Sequence, residues 1–205
     1  MDAVIETENE KEFDIFFGGT YTECWSADYS LAVRYSDRRR VRARRDENYK
    51  WRAVGGDEEL CAALESDSCP AAMREYFNTA ATVYAAAREC VERGLPLERL
   101  RECLPEQKSA YAAAELMRLL MDDCGMKLES ALEICAGCCT DCRMEHTDEA
   151  ALMSYQPRTA HLISVLREAA RLETSITAAE NTGKEPLVFL HYPPVFGGTV
   201  SDEIF

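Results

Sequence analysis

Three groups of residues carry the reactive chemistry of this 205-residue chain: a run of cysteines, a run of arginines and one histidine between an apolar stretch and two prolines. The segment "CAGCCTDC" sets Cys135, Cys138, Cys139 and Cys142 within eight residues, with His146 close behind. Thiolates and imidazole are the donors that zinc prefers. Cys135, Cys138, Cys142 and His146 supply four of them for a tetrahedral zinc or another divalent metal, provided the helix ends near Thr140 and lets the backbone wrap the ion. The same cysteines also continue a stripe begun by Leu128, Ala131 and Leu132 at helical spacing, and a free cysteine packs as a small hydrophobe. Core packing without a cofactor is the first expectation, with metal binding and regulated oxidation as alternatives.

The segment "SDRRRVRARRDENYKWR" concentrates Arg38, Arg39, Arg40, Arg42, Arg44, Arg45 and Arg52 beside Tyr49 and Trp51. In an extended strand alternate side chains share a face, so Arg40, Arg42 and Arg44 form a ridge. Guanidinium groups beside aromatic rings suit a phosphate backbone with stacked bases. They suit equally well the carboxylates of a protein partner, of this chain or of a second copy. We expect a protein partner through Arg38, Arg39, Arg40, Arg42, Arg44, Arg45 and Trp51, with nucleic acid as the alternative.

The third group is "LVFLHYPPVFGG", residues 187–198, where a strand over 187–191 delivers His191 into a proline-stiffened turn. An imidazole so placed serves as a metal ligand, as a base, or as the hydrogen-bonded end of a buried strand.

The elements that must position these groups follow from patterning. Residues 12–54 read as a small sheet, because "FDIFF", "SLAVRY" and "YKWRAV" are aromatic and β-branched and are separated by turn residues. Gly55 and Gly56 mark the change to helix-forming composition. A helix is expected between Ser68 and Gly94, with Met73, Phe77, Ala80, Tyr84, Ala87 and Val91 on its apolar side. A second is expected from Glu106 to Cys124, carrying Leu116, Leu119 and Leu120 and capped by Gly125. A third starts near Leu128, and a fourth follows Pro157 with Ala160, Ile163, Leu166 and Ala170. The fold class is thus mainly α (α+β): four or five helices, a small N-terminal β element over 1–60, and a helical domain over 61–205 that ends in the strand at 187–191.

Composition narrows the function classes. Forty-seven per cent of the residues are hydrophobic, enough for a sizeable core, but no run approaches the roughly 20 apolar residues that span a bilayer. The opening "MDAVIETENEKEFD" has neither the positive start nor the apolar stretch of a secretory signal, so a cytoplasmic protein whose ten cysteines are free thiols is expected. The net charge is −14, and the excess of acid is larger in 61–205 than in 1–60. An acidic surface repels nucleic acid and attracts basic proteins. The phosphate-binding GxxxxGK(S/T), the dinucleotide-binding GxGxxG and the GxSxG nucleophile elbow are all missing.

From Arg167 onward, "REAARLETSITAAENTGKEPLVFLHYPPVFGGTVSDEIF" resembles the calcineurin-like metallophosphoesterases over about a fifth of the chain. The resemblance implies a metal-ligand role for His191 in phosphoester hydrolysis at two divalent ions. The DxH, GDxxD, GNH and GHxH elements that hold the other ligands in that family have no counterpart here. A second likeness, carried by "EYFNTAATVYAAARECVERG", "AELMRLLMDDCGM", "ESALEI" and "EHTDEAAL", is similar in order to a stretch of the α-glucan phosphorylases; it implies sugar contacts for His146 and Thr147. The pyridoxal phosphate lysine and the NDTHP segment of that family are not matched.

With each catalytic set incomplete, the expectation is a non-enzymatic, acidic, regulatory protein that works through protein–protein contacts, inhibitor-like, and covers a basic nucleic-acid-binding surface of its partner. A reduced phosphoesterase acting through His191 and a metal-binding protein built on the cysteines are the alternatives.

Overall fold

The computed structural model describes residues 11–26, 31–139 and 149–168. Its fold is α+β, with antiparallel strands first and helices after them. Strands β1 (Glu12–Phe17) and β4 (Arg39–Arg45) pair in register, with Phe13 opposite Ala43 and Ile15 opposite Val41. β5 (Trp51–Gly56) adds on the far side of β4. Alternation decides which face is inside: Phe13, Ile15, Phe17, Val41 and Ala43 are buried, while the residues between them reach solvent. Ile15 and Val41 are completely buried, and each such side chain contributes about 1.5–3 kcal/mol.

Strands β2 (Thr20–Trp25) and β3 (Leu31–Ser36) form a separate ribbon, although each continues a strand of the first sheet. The long hairpin breaks at one level on both sides, at Gly18–Gly19 and at Asp37–Arg38. Gly19 has φ +79°, and a Cβ there would sit 2.3 Å from the Ser36 carbonyl oxygen, so only glycine lets the two backbones cross this closely. Arg38 staples the bend, its guanidinium lying 4.3 Å from the Phe16 ring centre and 3.9 Å from that of Tyr35.

Helix α1 (Glu58–Glu65) is started by Asp57, whose carboxylate accepts the Leu60 N–H. Helix α2 (Ala71–Glu92) packs under the sheet against β1. It stops at Gly94, where Leu95 N–H reaches the Cys90 carbonyl and Gly94 N–H that of Val91, the paired bonds of a glycine-terminated helix. A short 3-10 helix (Leu97–Glu102) folds back onto α2. Helix α3 (Ala110–Arg118) is buried on every side and widens into a π turn (Leu119–Asp123), followed by α4 (Leu128–Cys138), α5 (Glu149–Tyr155) and α6 over 157–168. Side chains of the first sheet and of α1 to α6 belong to one continuous apolar cluster.

Three expectations shift. The helix expected over 106–124 begins only at Ala110, because Glu106 to Ser109 run extended and pair by one bridge with Cys139. On α2 Met73, Phe77 and Ala80 are buried as expected, but towards the C-terminal end the buried line runs through Val83, Ala86 and Cys90, one residue before the expected Tyr84, Ala87 and Val91, and Val91 is 67% exposed. Helix α5 was not anticipated, since its start lies in a polar stretch without an apolar period. The strand at 187–191 with His191, and Ala170, lie outside the described residues.

Candidate functional site

Apart from short-range pairs on α2 and the 3-10 helix, arginine meets carboxylate on the outer face of the first sheet and deep between the ribbon and the helices. On the outer face, β1 contributes Glu12, Asp14 and Phe16, and β4 sets Arg44, Arg42 and Arg40 directly opposite them. The strand alternation that buries Val41 and Ala43 thus turns the three arginines outward, as the sequence pattern predicts. Arg42 donates to Glu12 at 3.1 Å and approaches Asp14 at 3.8 Å, Arg44 lies 3.5 Å from Glu12, and Arg40 lies 3.3 Å from Asp14. Two carboxylates therefore serve three guanidinium groups. Arg52 is held by Asp46 and Glu65 at 3.0 and 3.2 Å.

At the start of β4, Arg39 forms a two-point contact with Asp57 at 2.7 and 2.6 Å and also reaches Glu59 at 2.8 Å. The Arg39 guanidinium, helped by the Leu60 N–H, holds the Asp57 carboxyl down to about 2. The helix cap and the strand arginine therefore share one charge.

The aromatic residues of the run divide. Trp51 faces inward: its ring meets Phe13 edge-on at 5.7 Å, its Nε1 donates to Thr82 Oγ1 at 2.9 Å, and Arg45 stacks on it at 4.8 Å. Tyr49 lies in the exposed β4–β5 turn. Trp51 thus supports the sheet from below, and Arg40, Arg42 and Arg44 occupy the opposite face.

The inner site has two hubs. Arg158, on α6, makes a fork with Asp122 through Nε and Nη2 at 3.0 and 2.9 Å, and its Nη1 donates to Glu23 of β2. Tyr35 of β3 donates its hydroxyl to the same Asp122. The π turn makes this arrangement possible, because the widened backbone lets Asp122 point fully inside while Asp123 turns to the other hub. That second hub is Arg118, which donates to Glu115 at 2.8 Å, to Asp123 at 3.3 and 3.0 Å, and to the Tyr84 hydroxyl. Thr159, next in sequence to Arg158, donates to the remaining oxygen of Glu115 at 2.8 Å and so joins the hubs.

Burial pushes the Glu115 carboxyl upward against the pull of Arg118, and raises Tyr35 and Tyr84 so that both stay protonated donors. At the edge of the network Tyr21 and His161 share a hydrogen bond at 2.9 Å with their rings stacked; burial lowers the histidine and favours its neutral form. Gln156 extends the polar stitching to β1, donating to the Phe16 carbonyl at 3.0 Å and the Tyr76 hydroxyl at 3.1 Å. Every donor of both guanidinium hubs that is oriented by the network ends on a carboxylate or a hydroxyl. Such pairing fixes the ribbon on the helices.

No family model matches this chain, and no curated protein is significantly similar to it.

Of the proposed metal ligands, Cys135 and Cys138 are buried in the apolar cluster, and Cys135 donates to the Ala113 carbonyl at 3.5 Å. Helix α4 does end at Cys138, close to where a wrapped site requires it. Cys142 and His146 lie outside the described residues, as do Thr147 and His191. Among the described residues no cluster of three or more histidine, cysteine or acidic side chains is arranged to hold a metal. Also among them, no helix is long and apolar enough to cross a membrane.

Sequence reading missed the inner site. Its one signal is the segment "AYAAAELMRLLM", so rich in small and apolar residues that Glu115 and Arg118, three apart on one helix face, had to be buried together.

Proposed function

We propose that this protein is a non-enzymatic binding protein that acts through protein–protein contacts, and that its acidic helical surface covers a basic, nucleic-acid-binding surface of a partner. The observation that carries this reading is the pairing on the outer sheet face. Of the arginines suited to a polyanion, Arg39, Arg40, Arg42, Arg44 and Arg52 are engaged by Glu12, Asp14, Asp46, Asp57, Glu59 and Glu65 of the same chain, and Arg38 and Arg45 lie against aromatic rings. The net charge of −14 is therefore expressed elsewhere. On α4, Glu129 and Glu133 are both exposed and stand four residues apart on one side, a like-charge spacing that does nothing for the helix itself. Surface acid of this kind steers toward basic partners at long range.

The full chain, immobilised and exposed to cell extract at low salt, is expected to retain basic proteins that heparin, a competing polyanion, releases. Glu129→Gln together with Glu133→Gln is expected to weaken that retention. Recovery of no partner at low salt contradicts the reading.

A further inference from the structure

Nine cysteines lie among the described residues, all as free thiols, and Cys90 and Cys103 flank the turn that follows α2, with the Arg93 guanidinium beside Cys103. Cys90 is completely buried on the last turn of α2, its Sγ directed at the carbonyls of Leu95 and Pro96, each at 3.5 Å. The glycine stop at Gly94 reverses the chain, and the 3-10 helix that follows returns Cys103 to the same place. Cys103 is half-buried and is a sulfur neighbour of Cys90. Arg93, the residue that caps α2, donates its Nη1 to Cys103 Sγ at 3.4 Å while also bonding Glu89. One thiol is thus reachable and has a cationic donor on its sulfur, and the other is sealed behind it. This division of labour is the one found where a thiol is oxidised and a second thiol resolves it.

We propose that Cys103 and Cys90 form a reversible disulfide, with Cys103 as the sulfur that reacts with a hydroperoxide and Cys90 as the resolving thiol. In the first step the Cys103 sulfur attacks one peroxide oxygen, the O–O bond breaks, and water (or the alcohol of an organic hydroperoxide) leaves, so that sulfur is oxidised by two electrons to the sulfenic acid. In the second step the Cys90 sulfur attacks the Cys103 sulfur, the S–S bond forms, the S–O bond breaks, and the oxygen leaves as water with the proton of the Cys90 thiol. A cellular dithiol reverses the reaction by exchange and becomes a disulfide in turn. The bond closes the turn between α2 and the 3-10 helix, which also packs on α4, where Cys138 lies near Cys90. Burial keeps the Cys90 thiol protonated until the sulfenic acid forms beside it.

The test treats the full reduced chain with hydrogen peroxide, alkylates the remaining thiols and maps peptides without reduction. A peptide pair joined through Cys90 and Cys103, two hydrogens lighter than the reduced pair and restored by dithiothreitol, is expected. In Cys90→Ser, a sulfenic-acid trapping reagent should label Cys103 at least about tenfold faster than the more exposed Cys124 of the same molecule, a margin set by the cationic donor and reduced in Arg93→Gln. A cross-link between Cys90 and Cys138, no cross-link at Cys103, or faster labelling at Cys124 than at Cys103 overturns the proposal.

Discussion

The inner hubs and the outer ladder use one chemistry, guanidinium against carboxylate, and differ in almost everything that follows from it. Outside, Arg40, Arg42 and Arg44 keep 43–51% of their side-chain surface in water, and their partners are shared. Exposed pairs of this kind gain little, because water already solvates both charges and salt screens them. Inside, Arg118 and Arg158 keep 2%. Removing one member there leaves the others charged and dry, a far larger penalty than any gain the pair made on forming. The burial of a charge, more than its pairing, decides whether the fold depends on it.

Arg158→Ala sharpens the contrast most. It strands Asp122 and Glu23 and frees the ribbon from α6, and the expected loss of unfolding free energy is about 3–5 kcal/mol by urea titration. A loss below about 1 kcal/mol would place this hub in the same class as the ladder.

His161 gives a smaller effect with a definite sign. Its pKa in the folded chain is lowered by burial, with Arg158 adding to that and Glu23 and Asp122 opposing. The folded state therefore binds its proton less readily than the unfolded chain does. The contribution is full above the unfolded value of about 6.5 and is lost as pH falls through the folded value. Urea midpoints at pH 7.5 and 5.5 should differ more for the native protein than for His161→Gln. Equal differences would show that the ring titrates as if exposed.

Arg42→Ala is expected to be the mildest, within about 1 kcal/mol and smaller still in high salt. A cost like that of Arg158→Ala would show that the ladder holds the sheet together.

How far the sequence anticipated this depends on period. Phe13, Ile15 and Phe17 alternate, and so do Arg40, Arg42 and Arg44, which made the sheet and its outward ridge readable at once. The carboxylates that neutralise the ridge were not readable, because Glu12 and Asp14 are nearly thirty residues away and only the register of β1 on β4 sets them opposite. Arg158 was harder still. An arginine at the start of a helix usually lies in water, and its burial here follows from the π turn that aims Asp122 inward, which no local pattern announces.

The arginines of the outer ridge share Glu12 and Asp14 of the same chain, and the net charge of the molecule is negative. Titrating the full chain against single- and double-stranded oligonucleotides at about 50 mM salt tests most directly whether that ridge still holds nucleic acid. The account predicts no measurable complex with either. Binding that weakens steeply with added salt and disappears in Arg40→Ala, Arg42→Ala and Arg44→Ala combined would contradict it.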